Sequence, residues 1–192
     1  MQPSPTNLTL AAHNSKPGRR ILAALLAAMA LAIVAGSALA ANMLTNGGFE
    51  QNLSNGWGAI DLTAADKRVC NQSYAGDCSF KLVGDGNAKT LRQTLTVSGD
   101  LGDKFTLSAW TKGKDLDLGT VAVSVNVLIS HVGDGSSAQS FVLPAGSSPW
   151  TKRKVTVTAG ADYDQIIITI HTQTNVTGGK AWFDQVKLAP KP

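Results

Sequence analysis

The segment Val121-Ala122-Val123-Ser124-Val125-Asn126-Val127 places a β-branched side chain at every second position. That period buries one face of a strand and cannot bury one face of a helix. Lys104-Phe105-Thr106-Leu107-Ser108-Ala109 alternates in the same way, and Val155-Thr156-Val157 and Ile166 to Ile170 continue the β-branched theme. No stretch after Ala41 keeps a 3.6-residue period, so helix should be scarce there. Turn formers separate the runs: Asn46-Gly47-Gly48, Asn55-Gly56, Asp85-Gly86, Asp134-Gly135 and Thr177-Gly178-Gly179. About nine or ten short strands divided by such turns predict an all-β fold, a two-sheet antiparallel β-sandwich or jelly roll. The Val-Gly-Asp-Gly at 83–86 and again at 132–135 reads as two turns rather than a repeat unit.

Residues 1–40 have a different character. A polar stretch ends in Gly18-Arg19-Arg20, Ile21 to Ala35 is wholly Ala, Leu, Ile, Met and Val, and Ala38-Leu39-Ala40 closes with small residues. This is the pattern of a secretory signal, an N-terminal hydrophobic signal helix cleaved after Ala40. An uncleaved anchor is the alternative, because Ile21 to Ala41 is uncharged and about long enough to span a bilayer. Cleavage makes 41–192 a secreted, extracellular domain with no membrane contact of its own.

The 192-residue chain has a formal charge of +4, of which residues 1–40 contribute three through Lys16, Arg19 and Arg20 with no acid, leaving +1 for the rest. A domain so near neutrality has little to offer the phosphate contacts that dominate nucleic-acid affinity, and nucleic acid is not expected as a partner. Lys152-Arg153-Lys154 is the one basic run; it reads as a solvated strand start, with contact to an acidic glycan as the alternative.

Cys70 and Cys78 are the only cysteines, separated by turn formers, and are expected to form a disulfide between neighbouring strands. A reactive thiol or zinc pair is disfavoured, since two cysteines make half a zinc site and no histidine sits at ligand spacing.

Several segments in order carry a resemblance: Asn46-Gly47-Gly48-Phe49-Glu50 with Gly56-Trp57, Leu91-Arg92-Gln93-Thr94-Leu95-Thr96-Val97, Phe105 to Gly113, and Ala181-Trp182-Phe183-Asp184-Gln185-Val186-Lys187-Leu188. Together they resemble the CenC-like carbohydrate-binding modules of families 4 and 9, which are galactose-binding-domain-like jelly rolls. The resemblance spans 42–189 and implies a glycan-binding domain with structural calcium. It implies that Glu50, the only glutamate, and Asp184 hold the ion; the second acidic position of the pattern is Gln185 here. Calcium suits such a pair chemically, because two close carboxylates repel unless protonated or bridged by a hard cation. Carbonyls between Ser73 and Ser79 are further candidate ligands, and hydrogen bonding of both carboxylates to backbone amides is the alternative.

Alternation assigns faces. With Phe105, Leu107 and Ala109 in the core, Thr106, Ser108 and Trp110 point outward. Val121 to Ile129 inward at odd positions leaves Ala122, Ser124, Asn126, Leu128 and Ser130 outward, and Ile166, Ile168 and Ile170 inward leaves Gln165, Ile167, Thr169, His171 and Gln173 outward. The resemblance implies that these three strands share one sheet. Its outer face would then carry a neutral-sugar site: Trp110 stacking on the ring, with Ser108, Ser124, Asn126, Thr169, His171 and Gln173 meeting its hydroxyls. Packing under a loop is the other reading of Trp110, and packing is favoured for Trp57, Trp150 and Trp182.

No G-x-S-x-G, H-E-x-x-H, P-loop or EF-hand pattern occurs, and the remaining acids are aspartates mostly in turns, so a glycoside hydrolase or other enzyme is not expected. The expectation is a non-catalytic protein binding a neutral poly- or oligosaccharide, acting alone or with partner proteins encoded elsewhere. The alternative is an extracellular matrix sandwich without a glycan ligand. Asn52, Asn71 and Asn175 begin N-glycosylation sequons, meaningful only in a eukaryotic secretory pathway.

Overall fold

Alternation becomes ten strands because each run of β-branched and aromatic residues has one apolar side to hide. The computed structural model describes residues 41–117, 123–174 and 176–191. The signal segment 1–40 with its cleavage point, Val121, Ala122 and Asn175 lie outside the described residues. In chain order the strands are β1 (Gly58–Ile60), β2 (Lys67–Val69), β3 (Ser79–Val83), β4 (Lys89–Gly99), β5 (Lys104–Asp117), β6 (Ser124–His131), β7 (Ser136–Val142), β8 (Gly146–Thr158), β9 (Tyr163–Thr172) and β10 (Gly178–Pro190). They form two five-stranded antiparallel sheets, a first of order β1-β4-β9-β6-β7 and a second of order β2-β3-β10-β5-β8. The expected all-β, two-sheet antiparallel sandwich is what is found. Among the described residues there is no helix, and none long and apolar enough to cross a membrane.

The core lies between the sheets. Val123, the strand residues Val125, Val127 and Ile129, and Ile166, Ile168 and Ile170 are fully buried on the first sheet's side, against Phe80, Leu82, Leu107, Phe183 and Leu188 of the second. Each such side chain contributes about 1.5–3 kcal/mol relative to exposure. Strand β5 shows the expected alternation, with Phe105, Leu107 and Ala109 buried and Thr106, Ser108 and Trp110 partly exposed. The turn at Gly133-Asp134-Gly135 joins β6 to β7, and both glycines have positive φ.

The Asn-Gly-Gly-Phe-Glu opening is built into this frame by backbone contacts. The Val186 N–H donates to the Gly47 carbonyl at 2.8 Å, and a Cβ at Gly47 would run into the Val186 carbonyl. Asn46, at φ 52°, accepts from the Gln51 N–H and donates to the Gln51 and Asn52 carbonyls. The motif therefore ties the segment before β1 to β10. Strand β1 itself pairs with β4, and it is the segment before β1 that bonds to β10.

Cys70 and Cys78 form the expected disulfide, which spans the turn between the paired strands β2 and β3.

Candidate functional site

Because antiparallel partners share a face, the strand registers lay out the outer surface of the first sheet as rows. One row runs Ile60, Thr90, His171, Ser124, Val142; the next Gly58, Arg92, Thr169, Asn126, Ser140; the third Thr94, Ile167, Leu128, Ala138. A cavity of about 550 Å³ opens over these rows, with Leu128, Ile167 and Ala138 as its apolar floor and Thr90, Asn126, Ser140, Thr169 and His171 as its polar wall. A second hollow of about 400 Å³ adjoins it across Arg92 and Thr94, reaching Ile60 on β1.

The polar wall is internally connected. Asn126 Nδ2 donates to Thr169 Oγ1 at 3.0 Å and to Ser124 Oγ at 3.2 Å, bonds that leave the acceptor capacity of its carbonyl oxygen unused. His171 Nδ1 pairs with Thr90 Oγ1 at 2.9 Å. Among the described residues no carboxylate lines the cavity. Such a surface offers hydroxyl, amide and imidazole partners over aliphatic carbon, suited to an uncharged, hydroxyl-rich ligand.

Four residues expected at a glycan site, Ser124, Asn126, Thr169 and His171, are thus brought together. Trp110 and Ser108 are not with them. Strand β5 pairs with β10 and β8 in the second sheet, so both residues face outward on the opposite side of the sandwich. The expectation that β5, β6 and β9 share one sheet is corrected. Alternation decides which way a side chain points from its strand but carries nothing about which sheet the strand joins. Gln173 is exposed one residue beyond the end of β9 and does not line the cavity. The floor residues Leu128 and Ile167 could have been singled out from sequence, as apolar side chains at positions assigned to the outside. Ala138 and Ser140 could not, because β7 reads Ser-Ser-Ala-Gln-Ser and shows no apolar alternation.

On the second sheet, the disulfide-closed turn folds over Trp110. Tyr74 stacks on the indole, and Trp150 meets Tyr74 edge-on with centroids 6.3 Å apart. Trp182 is 7% exposed under Lys112, whose Nζ lies 5.6 Å from the ring centroid and donates to Gln72 Oε1. The same turn meets the two carboxylates of the resemblance. Asp184 Oδ2 accepts from the Tyr74 and Ala75 N–H groups at 2.8 and 3.0 Å, and Oδ1 from its neighbour Gln185. The Glu50 carboxylate accepts from the Asp77 and Cys78 N–H groups. Burial pushes the Asp184 carboxyl above its ordinary range; the amides pull the other way, and the charge of Glu50 adds to the rise. The two carboxylates at this turn are oxygen donors of the kind calcium takes, and each has acceptor capacity beyond the amides. Among the described residues no third His, Cys, Asp or Glu joins them, so backbone carbonyls would have to complete a coordination shell.

Comparison with known proteins fits this architecture. The model of the family described as "Carbohydrate binding domain" (CBM 4/9) matches residues 41–177. Of solved structures, a CBM61 module in complex with β-1,4-galactotriose is similar at 16% identity and TM-score 0.54, covering 79% of this chain and 99% of that one. A family 16 carbohydrate-binding module gives 21% and 0.57, covering 77% and 99%. The CBM22-1 xylan-binding domain of Paenibacillus barcinonensis Xyn10C gives 15% and 0.51, covering 79% and 95%. At these identities the likeness is one of fold. No curated protein matches the chain.

Proposed function

We propose a function from one premise: the chain belongs to the carbohydrate binding domain family. Its ligand is a neutral oligosaccharide or polysaccharide, bound in the cavity on the outer face of the first sheet. The observation that carries this reading is the convergence of Asn126, Thr169, His171 and Thr90 around the Leu128–Ile167 floor, in a cavity of about 550 Å³ without a carboxylate. The C–H face of a sugar would lie on the two aliphatic side chains, and the surrounding amide, hydroxyl and imidazole groups would exchange hydrogen bonds with its hydroxyls. Trp110 has no part in that contact.

The role proposed is non-catalytic. Hydrolysis of a glycoside by the usual route needs two carboxyl groups flanking the bond, and the cavity's lining supplies none. Secretion, with 1–40 as a cleaved signal, is proposed from the sequence pattern, and a family match that starts at residue 41 supports the boundary. Calcium held by Glu50 and Asp184 is proposed as a structural ion that would relieve the repulsion between them.

A glycan array probed with the purified protein, its Asn126→Ala/Thr169→Ala variant and its Trp110→Ala variant tests the reading. Selective binding of neutral glycans, lost in the first variant and kept in the second, is expected. Binding lost only in the Trp110 variant would move the site to the other sheet. No binding to any glycan would favour the matrix sandwich.

A further inference from the structure

The cations of this domain are sorted by sheet. On the strands of the first sheet they are Lys89, buried in ion pairs, and Arg92. On the second sheet the registers bring Lys67 opposite Lys81, and Trp182 opposite both Lys81 and Lys112. Lys152 lies opposite Trp110, and Ser108 lies between Lys154 and Lys187. These lysines, drawn from five strands, share one outer face. Among the described residues the ion pairs within 4.0 Å both belong to Lys89; Asp184, opposite Trp110 on this face, is buried on the Tyr74 and Ala75 amides, so none of these lysines is ion-paired. The small net charge of the domain conceals this, because the balancing aspartates lie mainly in turns.

The same face holds an aromatic platform. Tyr74, 44% exposed, rides on Trp110, and a hollow of about 310 Å³ beside the pair is lined by Ser108, Lys152, Gln185 and Lys187. A ring plane ringed by ammonium groups and an amide offers both contacts an acidic sugar needs.

We infer that the outer face of the second sheet is a docking surface for an acidic polysaccharide, a polymer carrying a carboxylate on each sugar, separate from the neutral-glycan cavity on the other sheet. Lys67 and Lys81 face each other about 4.8 Å apart, Lys154 and Lys187 stand two strands or about 9.6 Å apart across Ser108, and Lys152 and Lys154 lie about 6.6 Å apart along one strand. That lattice of point charges matches a chain with regularly repeated anions. Lysine supplies the charge here throughout. It meets carboxylate and phosphate alike as a point charge, and what disfavours nucleic acid is the net charge of only +1 outside residues 1–40. Family membership favours a sugar backbone beneath those carboxylates.

The test measures binding of the purified protein to sodium polygalacturonate, to duplex DNA at equal charge concentration, and to phosphatidylcholine vesicles containing phosphatidylglycerol, as salt rises from roughly 50 to 200 mM. The expected result is tightest binding to polygalacturonate, weakening steeply with salt. Lys152→Glu/Lys154→Glu/Lys187→Glu should lose about tenfold or more and flatten the log–log salt slope by about one per contact removed. The milder Lys152→Gln/Lys154→Gln/Lys187→Gln variant should show a smaller loss with an unchanged melting temperature. Neutral-glycan binding should persist in both, which separates failure of this inference from failure of the cavity assignment. Absence of wild-type binding at low salt, equal binding by the lysine variants, or tighter binding to DNA or vesicles would each overturn it.

Discussion

Tyr74 lies flat on Trp110, with ring centroids 3.5 Å apart and planes inclined by 13°. The stack covers one face of an indole that sequence alone leaves open to ligand, and it makes Tyr74 the exposed ring. Such a pair contributes about 0.5–1.5 kcal/mol beyond its buried area. Tyr74→Ala should therefore shift tryptophan emission to the red and increase quenching by iodide, with a small loss of stability. Emission and quenching identical to the wild type would show that Tyr74 does not shield Trp110.

The turn carrying Tyr74 is closed by Cys70 and Cys78, a sequence separation of 8. Restricting so short a loop in the unfolded chain is worth about 2–3 kcal/mol, which for a domain of this size lowers the melting temperature by roughly 5–10 °C when removed. Cys70→Ala/Cys78→Ala should show that loss by calorimetry. Its tryptophan emission should also move in the direction seen for Tyr74→Ala, because the same turn holds the ring in place. A fall in melting temperature with unchanged emission would mean that the amide contacts to Asp184 and Glu50 suffice to position the turn.

The inward faces of β5, β6 and β9 were legible because β-branched alternation has one physical cause, burial of one face. The pairing partner of β5 was not. It depends on which strands meet across the sandwich, and Phe105, Leu107 and Ala109 would be equally buried in either sheet. That single ambiguity carried Trp110 and Ser108 into a site they do not share with Asn126 and His171. The lysine face was legible only at Lys152 and Lys154, where the alternative of an acidic glycan was open: Lys67, Lys81 and Lys187 are far apart in the chain, and only the registers of the second sheet join them to that pair. The cavity's polar wall was legible in part, since Asn126 interrupts a valine strand where asparagine is disfavoured.

Glu50 and Asp184 both accept hydrogen bonds from the 74–78 turn, and Glu50 raises the cost of ionising Asp184. If calcium resides there, it binds the folded chain alone and stabilises it by mass action, by about 2.7 kcal/mol at a hundred times its dissociation constant. The expected outcome is a melting temperature that rises with calcium to a plateau, falls with a chelator, and responds to neither in Glu50→Gln. A wild-type melting temperature indifferent to calcium would leave the turn's amides as the partners of both carboxylates.

Lys89 is the buried cation of the first sheet. Its Nζ lies 2.9 Å from Asp66 and 2.6 Å from Asp85 and donates to the Val83 carbonyl, with the Lys89 and Asp66 side chains fully buried. Burial alone would raise the Asp66 carboxyl; hydrogen bonds from Lys89 and from the Val83 and Thr63 amides outweigh it and hold the group below its ordinary value of 3.8. A carboxyl whose folded pKa is depressed adds stability at every pH above its unfolded value, and loses it as pH falls through the folded one. Unfolding midpoints should therefore be flat in this contribution above about pH 5 and decline below about pH 4. Lys89→Met strands Asp66 without its partner and should cost about 3–5 kcal/mol at neutral pH. Because the orphaned carboxylate then prefers its proton, the variant's deficit should shrink as pH falls, and Lys89→Met/Asp66→Leu should recover part of the loss. A deficit constant from pH 7 to pH 3 would show that Lys89 stabilises the domain by packing rather than by charge.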